Sequence, residues 1–160
     1  MQLHNTYFEK VSLLQWESAS SDNTADGYED IVLPRRMTEG SAGYDFSLPL
    51  DIDIPSGKTV KVATGVRSVI EDGWVLVIAP RSSLGFKYGL ALSNTVAIVD
   101  SDYSKADNEG HIFLSLVNRG DKDLHFEKGT RIAQGIFLPY GTVCGDDVSA
   151  KRTGGIGSTD

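Results

Sequence analysis

Residues 92–103 have the sequence L-S-N-T-V-A-I-V-D-S-D-Y, an apolar run that ends in two carboxylates and an aromatic ring. The run Val96–Val99 leads to Asp100, and Asp102 and Tyr103 follow within three residues. If the chain stays extended there, side-chain alternation places Asp100 and Asp102 on one side and Tyr103 on the other. Such a strand end can hold an acid and a ring at the mouth of a pocket. It can equally be the solvated, acidic tip of a hairpin.

Short segments rich in β-branched residues continue along the chain on both sides of this stretch, with turns between them. The strands predicted from this pattern are Lys10–Leu14, Gly43–Leu48, Asp51–Pro55, Thr59–Val69, Trp74–Ala79, Ile112–Val117 and Arg131–Leu138. Glu71–Gly73 is a hairpin-type turn, and one short helix is predicted over Ser82–Tyr88. Many short strands with regular turns predict an all-β fold, namely a sandwich, a barrel or a jelly roll.

Length and composition predict one cytoplasmic domain over residues 1–160. The chain has 15 Lys and Arg against 22 Asp and Glu, a net charge of −7 that argues against general affinity for nucleic acid or anionic membranes. The lone cysteine, Cys144, cannot form an internal disulfide, and no signal peptide or bilayer-spanning run is apparent. Residues 17–30 are acidic and lack periodicity, which predicts a surface insertion.

Five short segments stand out as places where chemistry could occur, although none is specific by itself. They are G-S-A-G-Y-D (40–45), P-R-S-S-L-G (80–85), N-T-V-A-I-V-D-S-D-Y (94–103), R-I-A-Q (131–134) and R-T-G-G-I-G-S-T (152–159). In the second segment, Arg81 and two serines start the predicted helix, where backbone N–H groups favour an anion, although a serine N-cap would explain the same residues. The fifth can wrap a polyphosphate with backbone amides, or it can be an ordinary polar tail.

In this order, the five segments resemble the motifs of the homotrimeric deoxyuridine triphosphatases (dUTPases), over roughly residue 37 to the C-terminus. The resemblance implies a jelly-roll-like β-barrel subunit with one short helix after the second motif. It also implies a flexible C-terminal arm, residues 145–160, and active sites shared between the subunits of a trimer. The expected reaction is hydrolysis of dUTP to dUMP and pyrophosphate with Mg²⁺.

The resemblance also implies a role for each matching residue. Asp100 is expected to orient and deprotonate the attacking water, a task that suits a carboxylate within one hydrogen bond of it. Tyr103 is expected to lie against the deoxyribose and exclude a 2′-hydroxyl. Asn94 and the backbone from Val96 to Ile98 are expected to bind the uracil edge. Asp45 is expected to act on the metal through water, the triphosphate itself holding most of the Mg²⁺. Further substrate-binding residues are expected to be Arg81, Ser82, Ser83, Gln134, Arg152, Ile156, Gly157 and Ser158.

The chain departs from the family pattern at several positions. Ile156 stands where phenylalanine is usual, and an aliphatic side chain can cover a base without stacking on it as a ring does. Ser83 and Ala97 stand where glycine is usual. Six residues, Ser104–Glu109, replace a single one, which leaves the alignment of Glu109 and His111 open.

Two other functions stay open from the sequence. A deaminase acting on dCTP shares the fold but needs its acid or base at the pyrimidine ring. A nucleotide-sensing or protein-binding module on the same fold would bind dUTP without turnover, and Ile156 and the two insertions are its support. His111 and His125 lack partners at ligand spacing, so no zinc site is predicted.

Overall fold

The computed structural model describes residues 3–155, and the described residues contain eleven strands, three α-helices and one 3₁₀ helix. The strands are β1 (Tyr7–Lys10), β2 (Tyr44–Ser47), β3 (Ile52–Ile54), β4 (Thr59–Ala63), β5 (Val66–Val69), β6 (Trp74–Pro80), β7 (Leu90–Leu92), β8 (Ala97–Val99), β9 (Phe113–Asn118), β10 (Leu124–Phe126) and β11 (Arg131–Pro139). The helices are α1 (Leu13–Ala19), α2 (Ala25–Glu29), α3 (Ser82–Tyr88) and the 3₁₀ helix Ser101–Lys105. The all-β prediction is confirmed, and so is the helix predicted over Ser82–Tyr88.

Every pairing between the described strands is antiparallel, and the strands form four sheets. The largest has the order β2–β11–β6–β8, the next has the order β4–β9–β7, and two further sheets pair β1 with β5 and β3 with β10. The long strand β11 lies between β2 and β6, so that Gln134 is opposite Asp45 on one side and Ala79 on the other. The first, second and fourth sequence segments therefore meet on one sheet.

Within residues 3–155, none of the helices has the length and apolar character needed to span a membrane.

The core lies between the sheets and is built from the inward-facing residues of alternating strands. In β9, Leu114 and Leu116 are buried while the intervening Ser115 is partly exposed. This alternation is the pattern of a strand with one face in the core. Gly135 of β11 packs so closely that a Cβ atom there would lie 2.7 Å from Leu76 and 3.0 Å from Phe46. Glycine at this position therefore lets β11 sit against the side chains of its neighbouring strands.

The N-terminal segment contains two helices that the sequence analysis did not predict, and the strand predicted over Lys10–Leu14 is wrong. Strand β1 ends at Lys10 and α1 begins at Leu13, because Ser12 caps α1 by accepting the N–H of Gln15 at 3.1 Å. Thr24 likewise caps α2, so residues 17–30 are not a loop throughout. Trp16 is fully buried and its indole N–H donates to the Thr24 carbonyl at 2.9 Å, which fastens this segment to the core.

Two other local predictions are corrected by the sheet topology. The strand predicted over Thr59–Val69 is two strands, β4 and β5, which belong to different sheets. The extended strand is interrupted at Gly65. The φ of +70° at this residue favours glycine, and a Cβ atom there would overlap the Ile31 side chain. The turn at Glu71–Gly73 exists, but β5 and β6 lie in different sheets, so it does not join the two strands of a hairpin.

His111 is a fully buried polar residue beside the break at Gly65. Its Nε2 accepts the Gly65 N–H at 2.9 Å, and its ring packs on Phe113 with 4.3 Å between ring centroids. Burial and, to a smaller extent, the positive charge of Lys61 lower the pKa of His111 to about 4, while Glu109 acts in the opposite direction. The ring is therefore neutral in the folded protein.

We expect the free energy of unfolding to fall as the pH falls from 6.5 towards about 4. In this window the unfolded chain binds a proton at His111 that the folded chain does not, so stability present above the unfolded pKa is lost as the pH drops. The full loss from this group is about 3 kcal/mol, measurable by urea denaturation across this range. The variant His111→Gln keeps an acceptor for the Gly65 N–H and should show a flatter pH dependence. Equal slopes for the two proteins would contradict the assignment.

Candidate active site

Asp45 of β2 is a buried carboxylate held between two arginines. Its Oδ2 accepts a hydrogen bond from Arg131 Nη1 at 3.1 Å, and its Oδ1 lies 3.5 Å from Arg81 Nε. The Asp45 side chain is 9% exposed, whereas those of Arg81 and Arg131 are 31% and 39% exposed. Because a guanidinium has five N–H donors, each arginine retains donors that can face an anion from solvent.

The start of α3 lies beside these arginines. Arg81 occupies the N-cap position without a side-chain cap bond, so neither of the following serines caps the helix. Ser82 and Ser83 are both exposed in the first turn. A shallow pocket of about 340 Å³ opens there. Its lining residues are Pro80, Arg81, Ser82, Gly85, Phe86 and Leu90.

Gln134 joins the first and fourth segments. A Cβ atom at Gly43 would lie 2.7 Å from Gln134 Oε1 and 3.3 Å from its Cβ, so the glycine admits the amide side chain. Since Gln134 is also opposite Asp45 in the sheet, the amide and the Asp45–arginine cluster lie on neighbouring strands. This group of polar side chains forms the first half of the candidate site.

The second half begins at Asp100, where β8 ends. The chain does not stay extended, because the 3₁₀ helix starts at Ser101. Both carboxylates nevertheless contact one guanidinium: Arg152 Nη2 donates to Asp100 Oδ2 at 2.8 Å and Nε donates to Asp102 Oδ1 at 2.9 Å. The same guanidinium carbon lies 5.5 Å from the centre of the Tyr103 ring. The C-terminal segment thus folds back onto its own chain.

Tyr103 is held rigidly beneath this ion pair. Its side chain is nearly buried, its hydroxyl donates to the His111 carbonyl at 3.0 Å, and it accepts from Asn108 Nδ2 at 3.0 Å. With both hydrogen bonds made, the ring has a single orientation at the edge of the pocket.

A pocket of about 240 Å³ lies between these groups. Its lining residues are Asn94, Ala97, Ile98, Val99, Asp100, Tyr103, Ile112, Phe113, Arg152 and Gly155. The structure therefore brings together five of the residues selected from the sequence, namely Asn94, Ile98, Asp100, Tyr103 and Arg152. The backbone before β8 turns sharply, with Thr95 at φ +68° and its N–H donating to the Leu92 carbonyl at 3.1 Å.

The remaining selected residues lie elsewhere. Val96 is exposed outside the lining of the 240 Å³ pocket, and Arg81 and Ser82 line the other pocket. Those two pockets share no lining residue. The predictions for Ile156, Gly157 and Ser158 fall outside the described residues.

The donors needed for a metal cage are scarce. Among residues 3–155, no three His, Cys, Asp or Glu side chains are grouped to hold an ion, and both oxygens of Asp45 face arginines. His111 is in the core, and His125 is on the surface with its Nδ1 2.8 Å from Asp53. A divalent cation at this site would depend on oxygens supplied by a ligand.

Arg131 and Asn108 contact the site but were not selected from the sequence. Arg131 stands in the fourth segment, and the strand pattern that placed Gln134 could have identified it as a neighbour of Asp45. Asn108 lies in the insertion, and its contact with Tyr103 depends on a turn that no local pattern indicates.

Comparison with known proteins gives consistent results. A family model described as dUTPase matches residues 29–159. The deoxyuridine 5′-triphosphate nucleotidohydrolase of Lactococcus lactis subsp. lactis (strain IL1403) is 41% identical over 132 residues, covering 81% of this chain and 88% of that one. The crystal structure of a dUTPase from Streptococcus mutans has a TM-score of 0.70 at 36% identity, covering 86% of this chain and 98% of that one. A variant dUTPase from phage phi11 of S. aureus, for which a structural Mg(II) ion is described, shares the fold at 16% identity, with a TM-score of 0.68 over 92% of this chain and 98% of its own.

We expect Asp45→Asn to lower the free energy of unfolding by about 1–3 kcal/mol, since a buried partner of two charged donors is lost. Two guanidinium groups would then face each other without a compensating negative charge. Urea denaturation at neutral pH measures the effect. The matched control is Asp53→Asn, which removes a carboxylate from the exposed pair with His125 and should change stability little. Equal losses in the two variants would contradict a special role for the buried cluster.

Proposed function

The chain belongs to the dUTPase family, and on that premise we propose that it hydrolyses dUTP to dUMP and pyrophosphate. The observation that carries the proposal is the 240 Å³ pocket, in which a solvent-facing carboxylate, a fixed aromatic ring and a cation meet. Asp100, Tyr103 and Arg152 are these three groups. The pocket offers a base, a wall for a sugar and a partner for phosphate at one place.

Asp100 is the proposed general base. Its side chain is 53% exposed at the pocket, so a water can reach the carboxylate and donate a hydrogen bond to it. The water oxygen attacks the α-phosphorus, and its proton passes to Asp100. The bond from the α-phosphorus to the bridging oxygen breaks, and pyrophosphate leaves with the electron pair.

Binding of the triphosphate changes the partner of Arg152. In the free chain this guanidinium pairs with both Asp100 and Asp102. A phosphate chain has more negative charge than these carboxylates and accepts the same planar donors, so it competes for Arg152. Transfer of Arg152 to the phosphates leaves Asp100 able to accept the proton from water.

Tyr103 and the turn before β8 are proposed to select the nucleoside. The Tyr103 ring is fixed by two hydrogen bonds and cannot swing aside, so a ribose 2′-hydroxyl would meet a rigid wall. Asn94 and the backbone of Val96–Ile98 are proposed to pair with the uracil edge. Cytosine would leave mismatched polar groups unpaired in this setting, which is costly.

The first half of the site is proposed to hold the phosphates. Arg81, Ser82, Ser83 and Gln134 supply donors there, and Arg131 adds a second cation beside Asp45. The donor set fits Mg²⁺ that is held mainly by the triphosphate, with Asp45 acting through water because both of its oxygens already face arginines. When bound, Mg²⁺ would neutralise phosphate charge and favour an in-line attack.

A homotrimer with shared sites is proposed because the two halves line different pockets of one chain. Closed rotational symmetry would bring the first half of one subunit to the second half of its neighbour three times. Residues 145–160 are proposed to close over the site, with Ile156, Gly157 and Ser158 covering the nucleotide. The exposed free thiol of Cys144 fits a reducing compartment, and we propose that the protein acts in the cytoplasm.

We expect pyrophosphate release from dUTP with Mg²⁺ and far slower release from dCTP, dTTP and UTP. Asp100→Asn should lower kcat by about 10²–10⁴ because the proton acceptor is lost, while dUTP binding measured by calorimetry is retained. Asp102→Asn is the matched control: it removes the neighbouring contact to Arg152 without removing the base, and should keep kcat within about tenfold of wild type.

Two results would overturn the proposal. Tight dUTP binding by the wild type without pyrophosphate release would identify a nucleotide-sensing module. Release of ammonia from dCTP would identify a deaminase.

A further inference from the structure

The inserted segment Ser104–Glu109 is anchored at Glu109 and closes on itself. Glu109 accepts the Ser12 N–H at 2.8 Å and the Ser12 hydroxyl at 2.6 Å, which ties the segment to the start of α1. At Gly110, a Cβ atom would lie 2.6 Å from the Ser104 backbone, so the segment closes tightly on itself. These contacts hold the inserted residues in one place beside the pocket.

Asn108 uses both ends of its amide inside this segment. Its Oδ1 accepts the Gly110 N–H at 3.1 Å, and its Nδ2 donates to the Tyr103 hydroxyl at 3.0 Å. A Cβ atom at Gly155 would lie 2.9 Å from Asn108 Nδ2, so the C-terminal segment rests directly on the amide. One side chain therefore contacts the turn, the ring and the arm.

The arm makes a second contact with the same insertion. The Asp107 N–H donates to the Thr153 carbonyl at 3.1 Å. The neighbouring Arg152 reaches Asp100 and Asp102 from this position. The insertion thus contacts Thr153 and Gly155 of the arm, and it contacts Tyr103, which lines the pocket.

We infer that Asn108 is a positioning residue, which fixes the Tyr103 ring through its hydroxyl and receives the C-terminal arm on the inserted segment. This inference deepens the proposed function and rests on it for the role of Tyr103. A chain with a single residue in place of Ser104–Glu109 could not present this amide to both groups. The insertion therefore makes sugar selection and arm docking depend on one side chain.

The test compares wild type with Asn108→Ala, Asn108→Asp and Lys105→Ala. The aspartate variant keeps an oxygen for the Gly110 N–H but loses the donor to Tyr103, so it separates shaping of the turn from positioning of the ring. Lys105 is exposed in the same segment and serves as the control. Circular dichroism of each variant checks that the fold is retained.

The first measurement is the rate of trypsin cleavage after Lys151 and Arg152 without nucleotide. Asn108→Ala removes the amide on which Gly155 rests, so it should raise this rate about three- to tenfold. Asn108→Asp keeps a group of the same shape there, so it and Lys105→Ala should leave the rate unchanged. The second measurement is the ratio of kcat/KM for dUTP to that for UTP, which should fall by a similar factor in both Asn108 variants through a lower KM for UTP, because both lose the donor to the Tyr103 hydroxyl.

Unchanged cleavage and unchanged discrimination in both Asn108 variants would overturn the inference. So would a loss of discrimination against UTP confined to Asn108→Ala, because that result means the residue only shapes the turn. The proteolysis does not require enzymatic activity. If the wild-type protein does not hydrolyse dUTP, the proposed function is wrong, but the cleavage rates still test whether the arm docks on Asn108.

Discussion

The register of β11 between β2 and β6 is the constraint on which the first half of the site depends. It sets Gln134 opposite Asp45 and Ala79, and it brings Arg131 to the buried Asp45 carboxylate. Because side chains alternate along a strand, a slip of one residue would turn Gln134 to the opposite face of the sheet. Apolar packing on the inner face, including the close approach at Gly135, prevents such a slip. The same packing that forms the core therefore positions the polar groups that are proposed to hold phosphate.

The second half depends on charge pairing. Two carboxylates that lie two residues apart share one guanidinium, and Asp100 and Arg152 line a pocket. The two carboxylates are 53% and 48% exposed, so water can replace the guanidinium as their partner. Such exchange suits the proposed transfer of Arg152 from Asp100 to a bound triphosphate. A deeply buried pair would oppose such exchange much more strongly.

Much of the fold could be predicted from local sequence patterns, and the exceptions have physical reasons. Alternation predicted β9, a preceding turn helped to predict β11, and the segment after Pro80 and Arg81 predicted α3. The caps Ser12 and Thr24 were present in the sequence, but the polar composition around them lacked the periodicity that usually reveals a helix. The interruption at Gly65 depends on packing against Ile31, which is distant in sequence. The run of β-branched residues on both sides of Gly65 predicts one continuous strand instead.

In the candidate site, too, local sequence patterns predict some residues, whereas others depend on contacts between distant parts of the chain. Asn94, Asp100 and Tyr103 belong to one continuous segment, so a motif could identify them together. The cluster around Asp45 required strand pairing over long sequence distances. The insertion could be seen in the sequence, yet its anchoring depends on Ser12, which is 97 residues away from Glu109. Local patterns contain no information on such a contact.

We propose that each active site combines Asp100 of one chain with Arg81 of another. It is tested most directly by mixing two inactive variants, Asp100→Asn and Arg81→Ala, after separation and reassembly of the subunits, and measuring pyrophosphate release from dUTP. In randomly mixed trimers about a quarter of the sites receive an intact Asp100 and an intact Arg81 from different subunits, so about a quarter of wild-type activity should return. No recovery in assemblies shown to contain both variants would contradict the account, because it would place both residues of each site on one chain.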